Sequence, residues 1–137
     1  MTERVLVLGE PARFVREIAQ RMGRDIDVVY ATTADETEGI GVDVVVAAGR
    51  FPLAELTSVR VHPTLHALPV VLVVPGRRLD PGVWRRADVT LVQTPRDIAG
   101  HIASAVHRTL LRRRARLTQT PARAGELDNI RILEPAP

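Results

Sequence analysis

The chain has 137 residues, of which 45% are hydrophobic and 26% charged, values that fit one globular domain with a single core. It contains no cysteine, which excludes disulfides and thiolate chemistry, and no apolar run approaches the roughly 18 residues of a membrane span. The formal net charge is +3, and all 19 Lys and Arg residues are arginine, which excludes every form of lysine chemistry, including a Schiff base and a phosphate loop.

Five short apolar runs alternate with stretches that suit helices. The first run begins close to the N-terminus, which has no signal-peptide pattern, and we therefore expect a cytoplasmic protein. The third and fourth runs are apolar at nearly every position, as expected for strands that are covered on both faces. We predict strands at residues 5–8, 26–30, 42–48, 69–74 and 89–92.

Helical periodicity is clearest in the first and last of the intervening stretches. Apolar residues recur at three- and four-residue steps within 11–22 and again within 98–110. Thr94 is the predicted N-cap of the last helix, with Pro95 at its first position. Less regular helices are predicted at 34–39, 53–68 and 81–86. Strands that alternate with helices predict a doubly wound α/β domain with a parallel sheet.

The end of the chain differs in composition from the rest. Residues 118–137 begin with a Thr-Gln-Thr-Pro segment and hold three prolines and one short apolar patch, 130–133. This composition favours a segment without regular structure. We therefore predict a domain over residues 1–117 and an extended or disordered C-terminal tail over 118–137.

Four segments form an ordered set: residues 4–11, 41–48 followed by Pro52, 68–74, and 86–92 followed by Pro95. In this order they resemble the first, third, fourth and fifth strands, with their following loops, of the receiver domain of two-component response regulators. The resemblance covers residues 3–117, and we expect a stand-alone receiver-like domain. It implies a flavodoxin-like α/β fold with five parallel strands in the order 2-1-3-4-5.

The same resemblance implies a site for phosphoryl transfer at the ends of the strands. Such a site needs two acids for a divalent cation, an aspartate acceptor, a hydroxyl and a lysine. The matching positions of this sequence are Gly9, Glu10, Ala48, Val74, and Gln93 or Thr94. The acid nearest to Ala48 along its strand is Asp43, roughly 16 Å away at ~3.3 Å per residue. We therefore predict a degenerate phosphorylation pocket, no catalytic residue and no enzymatic activity.

Metal and cofactor sites are not predicted elsewhere in the chain. His62 and His66 have the spacing of one helix face, but Pro63 lies between them, which favours surface histidines over a zinc site. No serine has a neighbouring base, and no glycine pattern completes a dinucleotide fingerprint. We accordingly expect neither a metal nor a cofactor.

Three groups of residues are candidates for binding a partner. They are the aromatic and basic group Trp84, Arg85 and Arg86, the helical arginines Arg108, Arg112, Arg113 and Arg116, and the tail residues Ile130, Ile132 and Leu133. Tryptophan and arginine are enriched in protein interfaces, and a short β-prone tail can dock on a partner. The alternatives are a half-buried position on the sheet edge for Trp84, a solvated helix end, where arginine complements the helix dipole, and a solvated tail.

The leading functional hypothesis is a phosphorylation-independent, response-regulator-like protein that acts as a protein–protein interaction module. It would serve as a regulator or as an accessory subunit of a larger assembly, of which a respiratory NADH dehydrogenase is one example. The alternatives are a nucleic-acid-associated regulator that uses the arginine-rich last helix, and a small-molecule sensor that uses the vacated pocket. Membrane insertion is not expected, and a homodimer stays open.

Overall fold

The computed structural model describes residues 2–9, 15–76, 89–93 and 96–127, with side chains up to Thr118. Its sheet has five strands in the order β2-β1-β3-β4-β5. The strands are β1 Glu3–Leu8, β2 Ile26–Ala31, β3 Val44–Ala47, β4 Val70–Val73 and β5 Val89–Val92. Every neighbouring pair is parallel, which confirms the predicted fold class and strand order. The strand bounds lie within two residues of the predicted ones.

The central strands are buried because their residues are apolar on both faces. All four residues of β3 and of β4 are buried, as is the second half of β1. Side chains alternate between the two faces of a strand, so complete burial requires cover on both sides of the sheet. One face packs on α2, Pro52–Arg60, through Leu56 and Val59. The edge strands β2 and β5 contain partly exposed residues.

The first two crossovers contain little helix among the described residues. Helix α1, Val15–Met22, buries Ile18 and Met22, while residues 11–14 of the predicted helix lie outside the described residues. The predicted second helix is a single 3-10 turn, η1, over Ala34–Thr37. The buried Thr37 hydroxyl donates to the Ala34 carbonyl within this turn, at 2.6 Å. A short, acidic stretch with few apolar residues thus forms one turn rather than a longer helix.

Helix α2 is shorter than the predicted helix over residues 53–68. It ends at Arg60, and a series of turns follows over residues 61–68. The Arg60 guanidinium donates to the His66 carbonyl, at 3.0 Å, and to the Leu68 carbonyl, at 3.3 Å. Pro63 and these bonds to the turn explain the correction, since proline cannot donate to a helix carbonyl and the turn satisfies its own backbone groups.

Helix α3, Ile98–Leu127, begins at a different cap from the predicted Thr94, which lies outside the described residues with Pro95. The His101 N–H donates to the Asp97 carbonyl, at 3.0 Å. Asp97 has a left-handed φ of 47°, and its carboxylate forms an ion pair with Arg21 of α1, at 3.1 Å. This contact passes over Gly100, where a Cβ would overlap both side chains. The hydrogen bond from Arg21 holds the pKa of Asp97 below its ordinary value of 3.8.

The end of α3 corrects the predicted tail. Residues 118–127 are helical rather than extended, and residues 128–137 lie outside the described residues. Pro121 indicates an interruption, whereas the alanine, arginine, glutamate and leucine residues that follow it favour a helix. The chain divides into two compact units, Met1–His107 and Arg108–Pro137, so the predicted boundary at 117 stays a prediction. Among the described residues, none of the helices has the length and apolar character needed to span a membrane.

The amino edge of the sheet is tied together by Arg4. Its backbone N–H donates to the Asp43 carboxylate, at 2.8 Å, and the Asp43 N–H donates back to the Arg4 carbonyl, also at 2.8 Å. The Arg4 guanidinium pairs with Asp27 on β2, at 2.9 Å, and donates to the Gly41 carbonyl, at 3.2 Å. One arginine therefore joins β1 to β2 and to the segment that precedes β3.

Candidate functional site

Four of the predicted pocket residues follow the carboxyl ends of neighbouring strands. The Gly9 N–H donates to the Ala31 carbonyl at 3.0 Å, and the Ala48 N–H donates to the Leu8 carbonyl at 3.4 Å. The Val74 N–H donates to the Val92 carbonyl at 2.9 Å, and the Gly76 N–H donates to the Gln93 carbonyl at 2.8 Å. Gly9, Ala48, Val74 and Gln93 thus lie along one edge of the sheet. The other two members, Glu10 and Thr94, lie outside the described residues.

The side chains at these positions have little capacity for phosphoryl chemistry. Gly9 has no side chain, Ala48 has a methyl group, and Val74 is an apolar side chain that is 1% exposed. The acid nearest in sequence to Ala48, Asp43, lies at the opposite edge, where it accepts from the Arg4 N–H. None of these three side chains can act as a nucleophile or coordinate a cation.

Sequence reasoning missed the carboxylate that does reach this edge, Glu55. It belongs to the first turn of α2, and its Oε1 accepts from the Gly49 N–H in the loop after β3, at 3.1 Å. This bond and the nearby Phe51 N–H favour the ionised form, but burial outweighs both and raises the pKa of Glu55 above its ordinary value of 4.5. An acid just after Pro52 signals a helix start, but it does not reveal that the side chain folds back onto the loop.

Gly9 and Glu55 depend on each other. Gly9 has a φ of 107°, in the left-handed half of the map that favours glycine. A Cβ at this position would overlap the Glu55 carboxylate. The turn after β1 therefore requires glycine both for its backbone conformation and for the close approach of a carboxylate from α2.

A cavity of about 290 Å³ lies beside this contact. Its walls include Gly9 at the end of β1, Thr32 and Thr33 after β2, and Phe51, Glu55 and Ser58 of the α2 region. Neither Ala48 nor Val74 lines it, so the cavity is displaced from the predicted pocket towards β2. Phe51 is 68% exposed and forms part of the mouth.

The predicted partner-binding arginines that the structure describes lie on α3, within the second unit. Arg108, Arg112 and Arg116 are exposed, and Arg113 is partly exposed. Two leucines on the same segment, Leu111 and Leu117, are 59% and 57% exposed. Trp84, Arg85, Arg86 and the tail residues Ile130, Ile132 and Leu133 lie outside the described residues.

The histidine pair lies in the turns after α2. His62 Nδ1 accepts from the Thr64 N–H, at 3.2 Å, and His66 Nδ1 lies 3.1 Å from the carbonyl of His62. Both Nδ1 atoms therefore contact the turn itself. Within the described ranges, no group of three or more histidine or acidic side chains is placed to hold a metal ion.

No protein-family model matches the sequence, and no curated protein matches it. Solved structures do resemble the fold. One is the crystal structure of a signal receiver domain of a two-component signal transduction histidine kinase from Clostridium thermocellum, with a TM-score of 0.55 and 12% sequence identity. The match covers 80% of this chain and 98% of that one. At this identity the likeness concerns the backbone alone, and with the strand order it shows that the chain has the fold of a receiver domain.

Proposed function

We propose that this protein is a receiver-like module that does not accept a phosphoryl group and acts by binding a protein partner, as a regulator or as an accessory subunit of a larger assembly. The observation that carries the proposal is the edge formed by Gly9, Ala48, Val74 and Gln93. An aspartyl phosphate needs a carboxylate nucleophile and a cation that offsets the charge of the incoming phosphoryl group. These four residues offer neither.

Glu55 does not restore this chemistry. Its carboxylate approaches the edge from α2 and lies against Gly9, at the end of β1 rather than at the acceptor position after β3. The Gly49 N–H donates to its Oε1, and burial raises its pKa. One carboxylate does not supply the several oxygen ligands that a magnesium ion requires. The sequence also has no lysine to contact a phosphoryl group.

The arginine-rich part of α3 supports the binding half of the proposal. Arg108, Leu111 and Arg112 follow the spacing of one helix face, as do Arg113 and Leu117. Each exposed leucine thus has an arginine three or four residues away. Arginine beside exposed apolar surface suits an acidic and partly apolar protein surface, whereas single-stranded nucleic acid also favours aromatic side chains for stacking. Aromatic residues make up 3% of the sequence.

Phosphorylation is tested by incubating the purified protein with acetyl phosphate and magnesium and measuring the intact mass. We expect an unchanged mass, while a phosphorylatable receiver domain treated in parallel gains one phosphoryl group. A phosphoryl adduct on this protein would refute the proposal. Mapping the adduct to Glu55 or to another side chain would then show which carboxylate replaces the missing acceptor.

Partner binding is tested with the double variant Arg108→Gln/Arg112→Gln and the matched control Arg16→Gln/Arg24→Gln. Both remove two positive charges from exposed positions, but the control changes the region of α1. We expect affinity capture from the native cell extract to yield a protein complex that persists in moderate salt and is lost with the α3 variant alone. A chain truncated after Leu117 should also fold and bind more weakly.

The same variants distinguish binding to nucleic acid from binding to a protein partner. Binding to unrelated DNA or RNA with a steep decrease in affinity as salt increases would favour a nucleic-acid-associated regulator. Equal capture of the same complex by both double variants would contradict the assignment of the partner surface to α3. Binding that depends on neither the arginines nor salt would therefore leave the proposed surface without support.

A further inference from the structure

The cavity beside Glu55 combines one carboxylate with apolar and hydroxyl-bearing walls. The apolar part comes from Leu8, Ala34, Phe51 and Ala54, and the hydroxyl groups come from threonine and serine side chains. Its volume of about 290 Å³ is just below the range for small-molecule sites, of roughly 300–1,000 Å³. A site of this size and composition suits a small organic molecule with an apolar body and one polar group.

Glu55 forms no ion pair with any residue that the structure describes, although Arg50 lines the same cavity. The hydrogen bond from Gly49 comes from a neutral backbone group, and desolvation has the larger effect on the pKa of Glu55. A cation that entered the cavity would offset the cost of holding this carboxylate half-buried.

We propose that the cavity binds a small primary ammonium compound with a short apolar body, with the ammonium group on the Glu55 carboxylate and the body against Phe51 and Leu8. A charge-assisted hydrogen bond to a carboxylate fixes the ammonium group, and the aromatic ring beside it favours a cation with an apolar chain. The hydroxyl of Ser58 lies in the same wall and accepts a further ammonium proton. This site is independent of the proposed partner surface on α3.

Two classes of ligand carry such an ammonium group, a simple amine and an α-amino acid. Arg50 lines the cavity and is exposed, so its guanidinium can reach a carboxylate that a simple amine lacks. An amino acid would use both charges, with its ammonium group on Glu55 and its carboxylate on Arg50. A simple amine would use Glu55 alone.

The test is isothermal titration of the full chain with isoamylamine, L-leucine and isoamyl alcohol. We expect the amine, the amino acid or both to bind, and the uncharged alcohol not to bind. A loss of the L-leucine signal in Arg50→Gln identifies an amino acid site, and an amine signal that Arg50→Gln leaves unchanged identifies an amine site. Absence of binding by both ammonium compounds, or equal binding of the alcohol, overturns the proposal.

Three variants of the chain test whether the ligand binds in this cavity. Glu55→Gln keeps an acceptor for the Gly49 N–H but removes the charge, and we expect it to weaken binding about tenfold or more, which is about 1.4 kcal/mol. Ala54→Leu fills the cavity from an exposed helix position and should abolish binding even if Glu55→Gln fails to fold. Glu17→Gln removes the same charge from the exposed side of α1 and should bind normally. Unchanged binding in both cavity variants would refute the assignment.

Discussion

The two edges of the sheet use their polar groups in opposite ways. At the amino edge, the Asp43 carboxylate accepts from the Arg4 N–H, the Asp43 N–H donates to the Arg4 carbonyl, and the Arg4 guanidinium adds bonds to Asp27 and Gly41. At the carboxyl edge, Glu55 lies half-buried between Gly9 and a cavity, and the neutral Gly49 N–H donates to it. In the first case the fold uses its charges to join strands. In the second it keeps a charge where a ligand can reach it, although this charge does not favour folding.

The substitution Gly9→Ala should break the carboxyl edge and have the largest effect. Alanine at a φ of 107° is strained, and its Cβ would force Glu55 away from Gly49. Strain and the lost hydrogen bonds should together lower the free energy of unfolding by roughly 2–4 kcal/mol. Urea denaturation followed by circular dichroism measures this change.

A double-variant cycle separates the two causes. In a Glu55→Ala background the overlap is gone, so Gly9→Ala should lower the free energy of unfolding by less than it does in the wild type. The difference is the coupling energy between the methyl group introduced at position 9 and the Glu55 side chain. Equal costs in the two backgrounds would show that the left-handed backbone alone requires glycine. The close approach of the carboxylate would then have no energetic role.

The substitution Asp43→Ala tests the amino edge in the same way and should have a smaller effect. It removes the acceptor of the partly buried Arg4 N–H, which should cost about 1–2 kcal/mol. Asp43→Asn keeps an acceptor oxygen and is the matched control, with a loss of a few tenths of a kcal/mol. A loss in Asp43→Asn as large as that in Asp43→Ala would instead assign the stabilisation to the negative charge.

The sequence predicts the strands and the residues at their ends better than it predicts the contacts of single polar side chains. The parallel sheet follows from apolar runs that alternate with helices, and a run such as Val70–Val73 is apolar on both faces because it lies in the centre of that sheet. The strand order and the positions of Gly9, Ala48, Val74 and Gln93 follow from the resemblance to receiver domains, and the carboxyl ends of parallel strands then meet at one edge. What those residues do is not settled by their position.

The missed features depend on contacts between distant parts of the chain. Glu55 folds back on the loop after β3, and the Asp97 cap depends on Arg21, 76 residues away. Periodicity reports which face of an element is apolar, but it carries no information about where one polar side chain turns. The end of α3 differs from the predicted tail for a different reason, because Pro121 indicates an interruption while the residues on either side of it favour a helix.

The smallest expected effect is the pH dependence of stability that Glu55 contributes at the carboxyl edge. Burial raises the pKa of Glu55 above 4.5, so the folded chain keeps this proton at pH values where the unfolded chain has released it. The unfolding free energy contributed by Glu55 should therefore be greatest below pH 4.5 and decrease as the pH rises from 4.5 through the folded-state pKa. In Glu55→Gln this decrease should be absent. The difference in unfolding free energy between the wild type and Glu55→Gln should change with pH by less than the loss caused by Asp43→Ala. Glu17→Gln is the control, and parallel curves for the wild type and Glu55→Gln between pH 4 and 7 would show that the carboxylate is not held at a cost.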